Sequence, residues 1–272
     1  MIYNPLPGEY VASGIKRGNE SIGNNYSSKA EYLIKNIPRK DRNSQSDDVI
    51  FPKLFIEHGV TREVLYENTL FPLTKAFGRN LIRTIYTPVH FWKICLDCVV
   101  ENAEQYGTAY IHCRHLPTTV SVCSVHGSKL FDKCPTCLKK ITNHKICDYM
   151  KCCNSYKFSP REIGSTEHSY SVFTSELLQY DGRHFEAYHV NKIIKTKLKL
   201  IEIIKYDDDF ELLIEHTRKE LGIILTPKSF FRTSTDICSA IGFLAYQTAE
   251  AYLNALSDKP VRISMMDELK KR

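Results

Sequence analysis

The chain has 272 residues and 31.4 kDa, room for one large domain or two to three small ones. Hydrophobic residues make up 43% and charged residues 25%, with a formal net charge of +6, so attraction to nucleic acid must come from local patches. No stretch approaches the roughly 20 apolar residues of a membrane span, and the opening residues MIYNPLPGEYVASG carry no apolar signal core, so a cytoplasmic protein without membrane contact is expected.

In chain order, residues 1–90 read as an N-terminal helical region. Ser27 or Ser28 can cap a helix through Ala30, Leu33 and Ile37 that Pro38 ends. Arg39 to Asp48 has no apolar residue and reads as an exposed loop. Pro52 can open a short helix ending at His58, with Gly59 as its left-handed cap, and Thr61 can cap a second carrying Val64, Leu65 and Leu70. Two helices joined by so tight a turn are compatible with a DNA-contacting helix-turn-helix, although plain packed helices explain them as well.

Residues 91–160 change character, with Cys, His, Pro, Gly and short β-prone pieces such as Thr119 to Cys123. From 161 to 272 helical periodicity returns as a C-terminal helical domain. Ile194, Leu198, Ile201 and Ile204 form an apolar stripe with Lys195 and Lys199 facing away. Those lysines read as a solvated face rather than a nucleic-acid patch. Asp207 to Asp209 can cap a helix running to Gly222, and Thr233 to Asp236 start another over the apolar run before Pro260. The fold class expected is mainly α, with a small zinc-ribbon-like α+β module of tandem zinc fingers at its centre.

Nine of the ten cysteines lie between Cys95 and Cys153. They come in pairs at metal-ligand spacing, in a chain without an export signal, which points to zinc rather than a disulfide framework. The segment reads CLDC at 95–98, CSVH at 123–126, CPTC at 134–137 and ICDYMKCC at 146–153. Each CxxC or CxxH turn aims two donors inward from one knuckle, and two knuckles close a tetrahedral structural site. Cys95, Cys98, Cys123 and His126 form one expected set. Cys134, Cys137, Cys147 and Cys153 form the second, Cys153 being preferred to Cys152 because Asn154 behind it tolerates a left-handed backbone. Cys113, flanked by His112 and His115, has poorer spacing, and Cys238 lies in an apolar helical run as a core residue. Two structural zinc ions per chain are expected. No HExxH, no HxE upstream of a PCxxC and no GxxxxGK[ST] occurs, so no catalytic residue or nucleotide site is assigned and the chain is expected not to be an enzyme.

The stretch from Cys95 to Cys137 resembles the TniQ/TnsD family of transposon target-site selection proteins. The resemblance is carried by Cys95 and Cys98, Tyr106-Gly107 with Ala109-Tyr110, Leu116-Pro117, Cys123 to Gly127, Leu130, and Cys134 with Cys137. Pro5, Pro7, Glu9, Ser13 and Arg17 are similar to the family's opening motif, and TLFPLTKAF at 69–77 is similar to a segment of the TnsD branch. It spans roughly residues 3–155. Unlike the family pattern, CLDC and CSVH lack a proline, which stiffens the turn but ligates nothing. The resemblance implies an adaptor of a TnsABC-type transposon that links a chosen target to the AAA+ ATPase TnsC. It does so either docked, commonly as a homodimer, on an RNA-guided CRISPR Cascade complex, or by binding target DNA directly as TnsD proteins do. The chain is shorter than the DNA-reading members, which favours the first.

Overall fold

The computed structural model describes residues 5–23, 62–78, 92–153, 160–206, 209–223 and 235–257. The expected helices over 28–37 and 52–58, and with them the first half of any helix-turn-helix, lie outside these residues. The described chain is mainly helical. In order come α1 (Val11–Ser21), α2 (Arg62–Glu67), α3 (Phe71–Ala76), α4 (Leu96–Tyr106), α5 (Tyr149–Cys153), α6 (Thr166–Leu177), α7 (Ala187–Leu200), α8 (Phe210–Leu221), α9 (Thr235–Tyr246) and α10 (Ala249–Ser257). β pairing among the described residues is confined to isolated bridges.

The C-terminal helices gather around α6, which packs on α3, α8, α9 and α10. Ser165 starts it as an N-cap, its hydroxyl accepting from the His168 amide at 3.0 Å. Phe173 meets Phe243 edge-on at 5.6 Å between ring centroids, and Phe77 of the α3 terminus stacks on Tyr252 at 5.0 Å. Gly242 permits that packing: a Cβ there would lie 2.8 Å from Phe77 Cε1. The Tyr252 hydroxyl donates to the Ala76 carbonyl at 2.9 Å, so this buried polar tip is satisfied.

Val190, Ile194 and Leu198 bury one face of α7, as the periodicity expects. The stripe departs from expectation at its end, because the helix stops at Leu200. Ile201 is exposed, and Ile204 returns to the core from the following turn, where Glu202 takes a positive φ. Gly222 caps α8 in the left-handed conformation. The apolar run before Pro260 forms two helices rather than one. Gln247, at φ +63°, breaks the chain, and the Thr248 hydroxyl accepts the Ala251 amide to start α10. The helix expected to carry Val64, Leu65 and Leu70 likewise ends at Glu67, and α3 begins at Phe71 with Pro72 in its first turn.

Residues 92–153 lie between two apolar cores. Cys95, Cys98, Val120, Cys123 and Leu130 share one with the C-terminal helices. Trp92, Ile94, Leu96, Ile111, Cys134, Ile141 and Tyr149 share the other with Tyr10, Val11 and Ile15 of the N-terminal segment. Asp236 in the first turn of α9 accepts from the Thr118 amide at 2.9 Å and hydroxyl at 2.6 Å, tying the central segment to the C-terminal helices.

Fully buried Glu9 organises the N-terminal docking. Its carboxylate accepts from Arg17 Nε at 3.1 Å and Nη2 at 2.9 Å, the Ser13 hydroxyl at 3.2 Å and the Leu6 amide at 3.1 Å. Ser13 in turn accepts from the Ile111 amide, and Tyr110 donates to the Pro7 carbonyl. The charge is thus neutralised and every side of the carboxylate occupied, the condition for burying one.

Candidate metal centre

Cys95 and Cys98 sit at the start of α4, with Cys95 as the N-cap. A helix N-terminus favours thiolate over thiol, since its free N–H groups present positive partial charge. The second pair sits on a tight knuckle. The Gly127 amide donates to the Cys123 carbonyl at 2.8 Å, and Gly127 has φ +64°. A Cβ at Gly127 would also lie 2.8 Å from the Ile163 amide nitrogen, so both conformation and space require glycine. Bridge pairing of Val122 with Lys129 closes the knuckle, and that of Ile94 with Phe131 brings it to the α4 start.

The ligand atoms of Cys95, Cys98, Cys123 and His126, all buried, lie within 4.8 Å of one another. His126 Nδ1 stands 3.5, 3.3 and 3.6 Å from the sulfurs of Cys95, Cys98 and Cys123, and Cys98 and Cys123 sulfurs are 3.6 Å apart. Tetrahedral zinc, with bonds of about 2.3 Å to sulfur and about 2.0 Å to nitrogen, puts its donors about 3.5 to 3.8 Å apart. The donor set fits zinc. His126 Nε2 meets the Glu101 carboxylate at 2.8 Å, the partner that fixes the ring so that Nδ1 faces the sulfurs.

Crowding of these groups moves their protons. Contacts with Cys123 and Cys98 push Cys95 up, whereas contacts with Cys95 and Cys98 pull Cys123 far down. Cys98, raised by Cys123 but lowered by Cys95, His115 and His126, settles at about 7. Contact with Cys98, helped by Glu101 and opposed by burial, lifts His126 to about 10.

The second grouping differs from the expected set. Its donors are Cys134, Cys137, His144 and Cys152, again within 4.8 Å of one another. Cys134 and Cys137 form the expected knuckle, with the Leu138 amide donating to the Cys134 carbonyl at 2.7 Å and Leu138 at φ +59°. His144 stands where Cys147 was expected. A 3-10 turn at Ile141–Asn143 anchors buried Ile141 and turns His144 inward, while the next turn buries Ile146 and leaves its neighbour Cys147 exposed. His144 Nε2 is 3.2 Å from the Cys152 sulfur, and Nδ1 is held by the Lys145 carbonyl at 2.7 Å. Cys152, the alternative that the sequence offered to Cys153, belongs to the grouping, and it sits on a short helix rather than a knuckle. Cys152 lies three residues from buried Tyr149 and shares its face. The missed signal was a histidine within a cysteine-rich segment, seven residues beyond a CxxC.

Helix α1 braces this loop. Lys16 Nζ donates to the Thr142 and His144 carbonyls, each at 2.7 Å, and the Glu20 carboxylate accepts the Ile146 amide at 2.8 Å. Cys113 is buried in the second core and its thiol is pushed up by that burial; it is in neither donor set. Cys238 is buried in α9. His112 accepts from the Asn102 amide at 2.8 Å, and burial holds its imidazole well below the usual range.

Two Cys₃His groupings therefore offer two metal sites, consistent with two zinc ions. Each offers four protein donors, the number that completes a tetrahedral site. No family model and no curated protein matches the chain. No helix among the described residues is long and apolar enough to cross a membrane.

Proposed function

We propose that this chain is a non-enzymatic target-site selection adaptor of a TnsABC-type transposon, linking a target-bound complex, with CRISPR Cascade and its guide RNA as the favoured one, to the AAA+ regulator TnsC. Its central segment is read as a ribbon-like pair of zinc knuckles serving as a rigid docking frame. One observation carries the reading: three residues of the opening motif share a network that reaches the central segment. Glu9, Ser13 and Arg17 share one hydrogen-bond network, and Ser13 takes the Ile111 amide just beyond the Ala109-Tyr110 pair. Motif residues assembled this way maintain a shape rather than a reaction, as an adaptor requires. Metal ligation supplies rigidity where the apolar core is divided. Co-purification of the zinc-loaded chain with Cascade and TnsC components tests the proposal; failure to retain either, with both zinc ions bound, refutes it.

A specific observation favours a second reading, direct binding of target DNA. Lys133 and Lys140 face each other across the second knuckle, and Lys139 and Lys145 are exposed beside it, with Lys151 paired to Asp148. Like charges directly opposite destabilise a strand pair, and a phosphate backbone would relieve the repulsion. Lys133→Gln with Lys140→Gln should then weaken duplex DNA binding and flatten its salt dependence by about one slope unit per lost phosphate contact. Unchanged binding would exclude this role for the pair.

A further inference from the structure

The 3-10 turn Cys113–His115 lies against the first donor set, yet contributes none of its four ligands. Arg114 Nη2 donates to the Cys98 sulfur at 3.3 Å, and His115 Nε2 lies 3.9 Å from the same atom. His115 is buried, and its Nδ1, like Arg114 Nε, is buried without a hydrogen-bond partner among the described residues. Two buried polar groups left half-satisfied are costly, so the contacts each does make decide where its side chain points.

Charge balance gives these contacts a purpose. Zinc with three thiolates and a neutral imidazole carries one net negative charge, and the Glu101 carboxylate on His126 adds another. Arg114 places a permanent cation directly on one of the thiolates. N–H···S donation withdraws electron density from sulfur, which lowers its nucleophilicity and fixes the lone pair left for the metal.

We propose that Arg114 and His115 are positioning residues of the first metal site, donors to the Cys98 sulfur that hold it in its ligating rotamer and shield it from electrophiles. The first site thereby keeps its metal after the second has lost its own. Exposure adds to the difference. All four donors of the first set are buried, whereas Cys137 is exposed and Cys152 half-buried. This inference requires that the donor sets hold metal and is independent of the adaptor reading.

N-ethylmaleimide added to the full-length, zinc-loaded chain, with a zinc-binding dye as reporter, tests it. The parent protein should release zinc in two phases of equal amplitude. Arg114→Met should accelerate the slow phase about 10- to 100-fold, the usual effect of losing a ligand's outer partner, while leaving the fast phase alone. Arg114→Lys, which keeps a donor and the charge, should fall between. In cobalt-substituted protein the sulfur-to-metal charge-transfer band should move to lower energy in Arg114→Met and His115→Leu, and by less in Arg114→Lys. A slow phase and a band superimposable on the parent's would overturn the proposal. Should Arg114→Met fail to fold, an unshifted cobalt band in both Arg114→Lys and His115→Leu overturns it equally. Loss of partner recruitment with parental release kinetics would count against it too, because the turn would then act on docking and not on the metal.

Discussion

Replacing Arg17 by Met removes the counter-charge of Glu9 and leaves the carboxylate buried. Two charge-assisted hydrogen bonds, at 2.9 and 3.1 Å, disappear. Each such bond contributes about 1.5 to 3 kcal/mol, and breaking a buried ion pair from one side costs about 3 to 5 kcal/mol. Arg17 is itself 24% exposed, and Glu9 keeps the Ser13 hydroxyl and the Leu6 amide, so the loss should fall at the lower end, about 3 kcal/mol. For a chain of this size that is about 6 to 12 °C in melting temperature. Denaturant unfolding of the zinc-loaded protein measures it, with metal content checked in parallel. Glu9→Leu combined with Arg17→Met should recover part of the loss, since no orphaned charge remains. An Arg17→Met chain within 1 kcal/mol of the parent, or a double variant less stable than the sum of the singles, would refute the view that this pair pins the N-terminal segment to the central one.

Elemental analysis should find one zinc in His144→Ala and two in Cys147→Ser; the reverse would restore the all-thiolate set that spacing suggests. Gly127→Ala should lose about 2 to 3 kcal/mol, because alanine disfavours φ +64° and its methyl group would lie 2.8 Å from the Ile163 nitrogen. Guanidinium unfolding resolves a change of that size. Burial lowers the Lys93 ammonium from 10.5 to about 8. The unfolded chain therefore binds this proton more tightly than the folded one, so the cost is fully present below pH 8 and disappears as pH rises toward 10.5. It amounts to at most about 3 kcal/mol. Lys93→Met should flatten that alkaline gain in an unfolding series at fixed zinc; a parent chain that shows no gain contradicts the assignment.

Spacing alone located the knuckles at Cys123–His126 and Cys134–Cys137, because a turn that aims two donors inward is a property of four or five consecutive residues. Local chemistry likewise placed the Gly222 cap, the buried face of α7 and the glycine behind His126. Choosing among Cys147, His144 and Cys152 was not local. It depended on which residues of two 3-10 turns and one short helix were drawn into the core, and Ile141, Ile146 and Tyr149 took those places, turning His144 and Cys152 toward the knuckle and Cys147 toward water. The break at Gln247 followed from the packing of α10 against α6 and α7. Glu9 could be seen as part of a motif, but its burial against Arg17 and Ser13 needed the fold to bring Ile111 and Asn68 alongside. Sequence determined where donors could occur; burial of their apolar neighbours, a property of the whole chain, decided which of them meet.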